Sequence, residues 1–477
     1  MPTTTFNFRP TTSNLTSASS PPSTSNLQPP TSNLQPPTLD LRHQRPPETM
    51  KVILHSHFPA GHTYPMQAVA QALVSHGHTV LWLTSSDNDA RVLATGAHFA
   101  PTTATAVLDS PLVKAHKTGL FDLAEGRLNR RLLAQVADYR AALAVLDADV
   151  LLVDVLPHGA RALHDLGEIP VYATLGVIPL YTSRLDAPLA ASGAAPPASW
   201  AGRLLNAARQ VVARCLETPL FLRPAMSRQR RALGLRSLPL GEPMEASTYS
   251  PHLHIQASCP RLEFNQLPGT PRHRKHTVFV GPLVAQASHD LSKLPPWWPD
   301  LPSQTKTVVG ITQGTLATDP TSLIIPSISA LQDDPDLVLV VVSPHGPEIQ
   351  SSTRRTGNVY HAAWLPYHLL LPRLALLITN GGYGSIKQAL SHGVPLLCAG
   401  QSEDKRDTGA RVAYSRLGID LKTDSPDVAS VRRAAYAILG DDGYRARARE
   451  MGDELNRLGG AGAAVEALEE LVRNTVP

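Results

Sequence analysis

From residue 50 onward the chain alternates short apolar runs with amphipathic stretches. Residues 51–55 and 79–84 have the composition of buried strands. Between them Met66, Val69, Ala70, Leu73 and Val74 fall at the spacing of one helical face. Residues 56–64 read as a loop, with Pro65 in the first turn of that helix and Gly77 as its C-terminal cap. Apolar runs at 150–155 and 171–174 flank a helix near 160–166. Strands alternating with helices predict a mostly parallel sheet covered on both faces. The alternation fades over 176–275, which holds a Pro/Ala stretch at 187–197, an amphipathic helix at 200–217 and a basic run at 223–236. Core packing is the expectation for that helix and a solvated face for the basic run. Beyond it Pro295-Pro-Trp-Trp-Pro-Asp-Leu-Pro302 lacks periodicity and reads as an inter-domain connection. A second series then begins, with strands at 306–312, 337–343, 358–361, 374–379 and 395–399 and closing helices at 404–417, 427–439, 443–458 and 461–473. Two doubly wound α/β halves joined by one linker place a cleft between them, where ligands usually bind.

Composition sharpens this division. Residues 1–49 are rich in Pro, Ser and Thr, and Thr24-Ser-Asn-Leu-Gln-Pro-Pro30 recurs as Thr31-Ser-Asn-Leu-Gln-Pro-Pro37. Such a tract buries too little apolar surface to offset its ordering entropy, so disorder is expected, and Met50 is a candidate start. The expected division is an extension at 1–49, an N-terminal domain at 50–285, a linker at 286–304, a C-terminal domain at 305–460 and a last helix at 461–477, for which packing back on the N-terminal domain is open. A formal charge of +4 over 477 residues gives no reason to expect nucleic acid. Cys215, Cys259 and Cys398 are too far apart for a CxxC motif and fit a reducing compartment. The longest apolar runs fall far short of a membrane span. A cytoplasmic protein without a transmembrane segment is expected, with peripheral membrane contact left open.

Absent motifs narrow the chemistry. Neither half opens with GxGxxG, and there is no GxxxxGK[ST], HExxH or GxSxG; dehydrogenase, P-loop, zinc-protease and lipase readings fall. The strongest positive feature is Thr379-Asn-Gly-Gly-Tyr-Gly-Ser385, between an apolar run and a helix at 383–392. A glycine-rich strand-to-helix turn exposes backbone N–H groups at the positive end of a helix dipole, which suits phosphate. Trp364 follows a strand end on the same sheet edge, and Gln401-Ser-Glu-Asp-Lys405 follows another, placed to meet a base and sugar hydroxyls. In the first half, His62 follows the first strand and Asp154 ends a later one, a pairing suited to general-base chemistry. His55, His57 and His158 are competitors.

Trp364-x-Pro366, Thr379–Ser385, Gly393-Val-Pro395 and Glu403-Asp-Lys405, together with Gly61-His62 and Pro65, resemble the signature of UDP-glycosyltransferases of glycosyltransferase family 1. The resemblance implies the GT-B fold, two Rossmann-like domains facing across a cleft, and an EC 2.4.1 hexosyltransferase. It further implies that Trp364 stacks on the base and that Gly382, Tyr383, Gly384 and Ser385 cradle the diphosphate, beside Thr379. Asp404 would hold sugar hydroxyls with Glu403 and Lys405, and Thr315 would touch the diphosphate. His62 would deprotonate an acceptor hydroxyl, oriented by Asp154. The co-substrate is then a UDP-sugar, the acceptor a small molecule, and neither metal nor other cofactor is required. Four positions depart from the plant pattern: Asn380 for a histidine, Gln388 for a ribose-binding glutamate, Lys405 for a glutamine, and Tyr367-His368 where a glutamine is usual. The expected activity is inverting transfer of a sugar, glucose first, to a lipophilic hydroxyl. A UDP-sugar epimerase and a silent nucleotide-binding regulatory partner are the alternatives.

Overall fold

The computed structural model describes residues 49–475 apart from 116–129, 183, 185, 214, 216–222, 241, 243, 265–275, 286–293, 302–304, 315–318 and 354–356. The disorder expected before residue 49 therefore lies outside the described residues, as does Thr315. The first half builds one sheet from β1 (Lys51–His55), β2 (Thr79–Thr84), β3 (His98–Pro101), β4 (Val150–Val153), β5 (Tyr172–Gly176), β6 (Leu253–Gln256) and β7 (Thr277–Phe279). The second uses β8 (Thr307–Thr312), β9 (Leu337–Val342), β10 (Val359–Ala362), β11 (Leu376–Thr379), β12 (Leu396–Cys398) and β13 (Gly418–Asp420).

The orders are β3-β2-β1-β4-β5-β6-β7 and β10-β9-β8-β11-β12-β13, and every recorded pairing is parallel. The continuous apolar runs follow from burial on both faces. Val52 and Leu54 enter one core with Val80 and Trp82, whereas Ile53 enters another with Leu81 and Leu83. In each sheet the order reverses between the first strand and its later neighbour, β1 beside β4 and β8 beside β11. Such switch points open a crevice at the strands' carboxyl ends. The last helix, Gly460–Thr475, inserts Ala464, Val465, Leu468 and Val472 into the core of the first half. His78 pins it, accepting the Met50 N–H at Nδ1 (3.2 Å) and meeting Glu469 through Nε2 (3.0 Å).

Several expectations change. Residues 56–64 are not all loop: the helix spans Ala60–Ser75 and places His62 in its first turn. Pro65 therefore sits inside the helix, where it has no N–H to give the Gly61 carbonyl, a defect tolerated near a helix start. Strands β3, β6, β7 and β13 escaped the apolar pattern. β6 hides polar residues: His254 is fully buried, bonded to Thr174 (2.9 Å) and Gln256 (2.8 Å). The 200–217 helix is observed over Trp200–Val212, and its apolar residues face outward, not into a core. Within the basic run, Arg230 is buried against Asp165 at 2.8 Å while Arg228 and Arg231 are exposed. Trp298 packs in the core of the second half, and Trp297 donates Nε1–H to the His361 carbonyl (3.1 Å).

Candidate active site

Asp154 follows β4 immediately, and its buried carboxylate organises the first half of the site. Oδ2 accepts from the His57 backbone N–H (2.8 Å) and pairs with His62 Nδ1 (2.8 Å); Oδ1 pairs with His57 Nδ1 (2.7 Å) and accepts the Val155 N–H (2.6 Å). Burial alone would raise the Asp154 pKa, but His57 and His62 hold it well below the usual carboxylate range. A carboxylate fixed at Nδ1 directs each imidazole's remaining chemistry to Nε2. For His57 that nitrogen faces Arg131 Nη1 at 3.4 Å. His62 is different. Its side chain is 22 % exposed, and among the described residues no hydrogen bond to its Nε2 is recorded.

His62 also feels the opposite half. Burial opposes its protonation, yet Asp154, and beyond it Asp404 and Glu403, raise its pKa above the ordinary value. Among the other competitors, burial pushes His55 down to about 4 and His158 to about 3, and His55 Nδ1 meets Tyr139 Oη at 2.7 Å. His57, His62 and Asp154 could in composition hold a divalent ion. Both Nδ1 atoms already face the carboxylate, so a metal would have to displace those bonds.

The second half contributes the turn after β11. Gly381 adopts φ +88°, which favours glycine, and its N–H reaches Thr379 Oγ1 (3.3 Å). Gly382 caps the Tyr383–Ser391 helix without any side-chain cap, and among the described residues no side-chain hydrogen bond to the first-turn N–H groups is recorded. Gly384 and Ser385 are exposed and half-buried on that turn, while Asn380 is buried beside Gly314. Trp364, after β10, is 57 % exposed and presents an open ring. Gln388 lies one turn along the helix, and among the described residues its side chain makes only a long contact to the Gly384 carbonyl (3.5 Å).

After β12, Gly400 permits close passage, since a Cβ there would lie 2.0 Å from the Asn380 carbonyl oxygen. Lys405 Nζ bonds Glu403 (2.7 Å) and Ser402 (3.1 Å), and Asp404 caps the Lys405–Tyr414 helix with its carboxylate unengaged in capping. Burial raises the Asp404 pKa. Asp407, one turn on, accepts the Ala191 and Gly193 N–H groups (2.6 and 2.7 Å), tying this helix to a loop of the first half.

The Tyr383 side chain turns away from the glycine-rich surface. Its hydroxyl donates to Glu263 and accepts from Gln256 Nε2 (2.8 Å), so only its backbone is available to an anion. Glu263 also accepts from Arg411 Nε (3.1 Å) and the Leu180 N–H (2.7 Å). Lys387 donates to the Ala257 carbonyl, and burial pushes its pKa down to about 7. This seam joining the halves was not foreseen. Its members lie in no common motif, and only buried charge marks them.

Residues 329–471 match the family profile described as "Erythromycin biosynthesis protein CIII-like, C-terminal domain". The 4'-demethylrebeccamycin synthase of Lentzea aerocolonigenes is 34 % identical over 423 residues, 86 % of this chain and 97 % of that protein. UDP-glucosyltransferase A1 of Starmerella bombicola is 28 % identical over 441 residues, covering 86 % and 90 %. In fold, the calicheamicin glycosyltransferase CalG4 superposes with a TM-score of 0.65 at 20 % identity, covering 90 % of this chain and 100 % of that one. The chain belongs to the UDP-glycosyltransferases, glycosyltransferase family 1, with the GT-B fold. It is therefore a transferase that acts with a nucleotide sugar.

Proposed function

We propose that this glycosyltransferase moves a sugar, glucose in the first instance, from its UDP conjugate to a hydroxyl of a small lipophilic acceptor, with inversion. The observation that carries the reading is the His62–Asp154 pair: Nδ1 is held at 2.8 Å by a sealed carboxylate, the His62 side chain is partly exposed, and among the described residues no hydrogen bond to Nε2 is recorded. Nε2 takes the acceptor's proton as the acceptor oxygen attacks the anomeric carbon. The bond from that carbon to the diphosphate oxygen breaks, and the leaving diphosphate carries the electron pair. The uncapped N–H groups at Tyr383, Gly384 and Ser385 and the helix dipole offset its developing charge. In this reading Trp364 stacks on the base, Asn380 and Thr379 shape the phosphate turn, Gln388 approaches the ribose, and Asp404, Glu403 and Lys405 meet the sugar.

Support for the donor comes from a relative named UDP-glucosyltransferase A1, and for a natural-product acceptor from one named 4'-demethylrebeccamycin synthase. The test offers UDP-glucose, UDP-galactose and UDP-GlcNAc with phenols, sterols, indole alkaloids and lipid alcohols, with and without EDTA, and reads products by mass. A product heavier than its acceptor by one hexose, formed equally in EDTA, supports the reading. Donor binding without any acceptor gaining mass would sink the acceptor assignment, and loss of turnover in EDTA would sink the metal-free mechanism.

A further inference from the structure

The helix Trp200–Val212 is built inside out. Asn206 Nδ2 and Gln210 Nε2 both donate to the Ala187 carbonyl, at 2.7 and 2.9 Å, and Gln210 is buried. Ser199 caps the N-terminus through the Gly202 N–H (3.1 Å). The polar face is thus the one docked on the protein. The apolar residues lie outside: Trp200 is 76 % exposed, Leu204 61 %, Leu205 55 %, Val211 50 % and Val212 54 %. A helix of a globular protein ordinarily does the reverse. Single exposed leucines need no explanation, but a contiguous apolar face headed by a tryptophan marks an interaction surface.

We propose that this face lies on an anionic lipid surface. Charge selects that occupant. Arg203 and Arg209, both exposed, fall about 120° to either side of the middle of the apolar arc at 3.6 residues per turn. There their stems can run along the apolar surface while the guanidinium groups reach phosphate. The helix itself carries no carboxylate to oppose such a surface, and between residues 200 and 236 the sequence has one, Glu217. Trp200 at the helix start suits the headgroup level, where an indole can be apolar at one end and hydrogen-bonded at the other. Size argues against a second copy of the chain. The 13-residue helix presents a face about 20 Å by 10 Å, well short of the roughly 800 Å² per partner of a stable dimer, and pairing two copies would set arginines against arginines. Docked this way, the enzyme would meet a lipophilic acceptor where such molecules concentrate. The surface proposal itself needs only the helix.

The test is sedimentation of the full chain with vesicles of phosphatidylcholine and phosphatidylglycerol at about 3:1, and with pure phosphatidylcholine. The expected result is binding to the anionic vesicles that weakens with salt. It should fall about tenfold or more in the double variant Trp200→Ser/Leu204→Ser, and severalfold in Arg203→Gln/Arg209→Gln. Circular dichroism and the melting temperature of these surface variants should match the parent, which separates lost binding from lost fold. No binding of the parent to either vesicle, or equal binding by parent and Trp200→Ser/Leu204→Ser, overturns the proposal. So does a dimer in gel filtration that this double variant makes monomeric, which would give the face to a second copy. A raised acceptor KM in vesicle-free assays with vesicle binding unchanged overturns it too, by placing the face in the acceptor site.

Discussion

Tyr383 donates its hydroxyl to the Glu263 carboxylate, so the first residue of the glycine-rich helix is anchored in the opposite half of the molecule. The same carboxylate holds Arg411, which is 4 % exposed, and the Leu180 N–H. Removing one partner from such a seam strands the others. Glu263→Ala should lose about 3–5 kcal/mol, since it leaves a buried guanidinium without its carboxylate. Tyr383→Phe should lose about 1–3 kcal/mol, because it removes only the hydroxyl between Glu263 and Gln256. Urea titration monitored by fluorescence measures both. Equal, small losses would mean that water replaces the missing partners and the seam is open.

That seam also marks where sequence reading stops. The Thr379–Ser385 turn was legible because glycines, a preceding apolar run and a following helical pattern are local signals, and β8, β9, β11 and β12 followed from largely apolar, buried runs, whereas the edge strand β10 is only partly buried. Glu263 and Arg411 are 148 positions apart and neither has a neighbour that announces the pairing. β6 was hidden for the same reason, since His254 and Gln256 are polar side chains buried by partners supplied from elsewhere. In the first half, Asp154 could be singled out by its place at a strand end and His62 by its place in the segment that follows the first strand. That His57 shares the carboxylate depended on a backbone path no pattern specifies. The Trp200–Val212 helix misled because amphipathicity gives two faces and not which one is docked.

Two histidines on one carboxylate invite a direct comparison. His62→Ala should lower kcat by about 10²–10⁴-fold with UDP binding retained, the usual range for removing a general base. His57→Ala should cost far less, about tenfold or below, because its Nε2 is directed at Arg131 and its effect passes through the Asp154 position. Steady-state kinetics and isothermal titration with UDP separate the two. A larger loss for His57 would reverse the assignment of the base.

The base must be neutral to accept a proton, and its pKa is raised. The rate should therefore climb with pH along a limb whose midpoint lies above the ordinary histidine value of 6.5. Asp404 is one source of the shift, acting across the cleft. Asp404→Asn removes a negative charge, disfavours imidazolium and should move the limb to lower pH, whatever happens to the rate itself. A pH profile of kcat/KM for both forms reads the displacement. An unmoved limb would mean that the groups do not share a field during turnover.

Gly384 provides the cleanest separation of anion binding from folding. A Cβ built there meets no atom of the described residues within 4 Å, and its backbone is not in the left-handed region. Helix geometry alone therefore favours alanine, which should leave stability unchanged or raise it by about 0.4–1 kcal/mol through reduced freedom of the unfolded chain. The space is open because it lies over the uncapped first turn, where the diphosphate is proposed to sit. Gly384→Val should accordingly raise the KM for the UDP-sugar at least tenfold, by pressing on the approach of the phosphate oxygens, with the Tm held. A lowered Tm with unchanged KM would show that the glycine serves the turn and that the diphosphate binds elsewhere. The paired readout matters because the neighbouring Gly381, at φ +88°, must be glycine for backbone reasons whatever it binds.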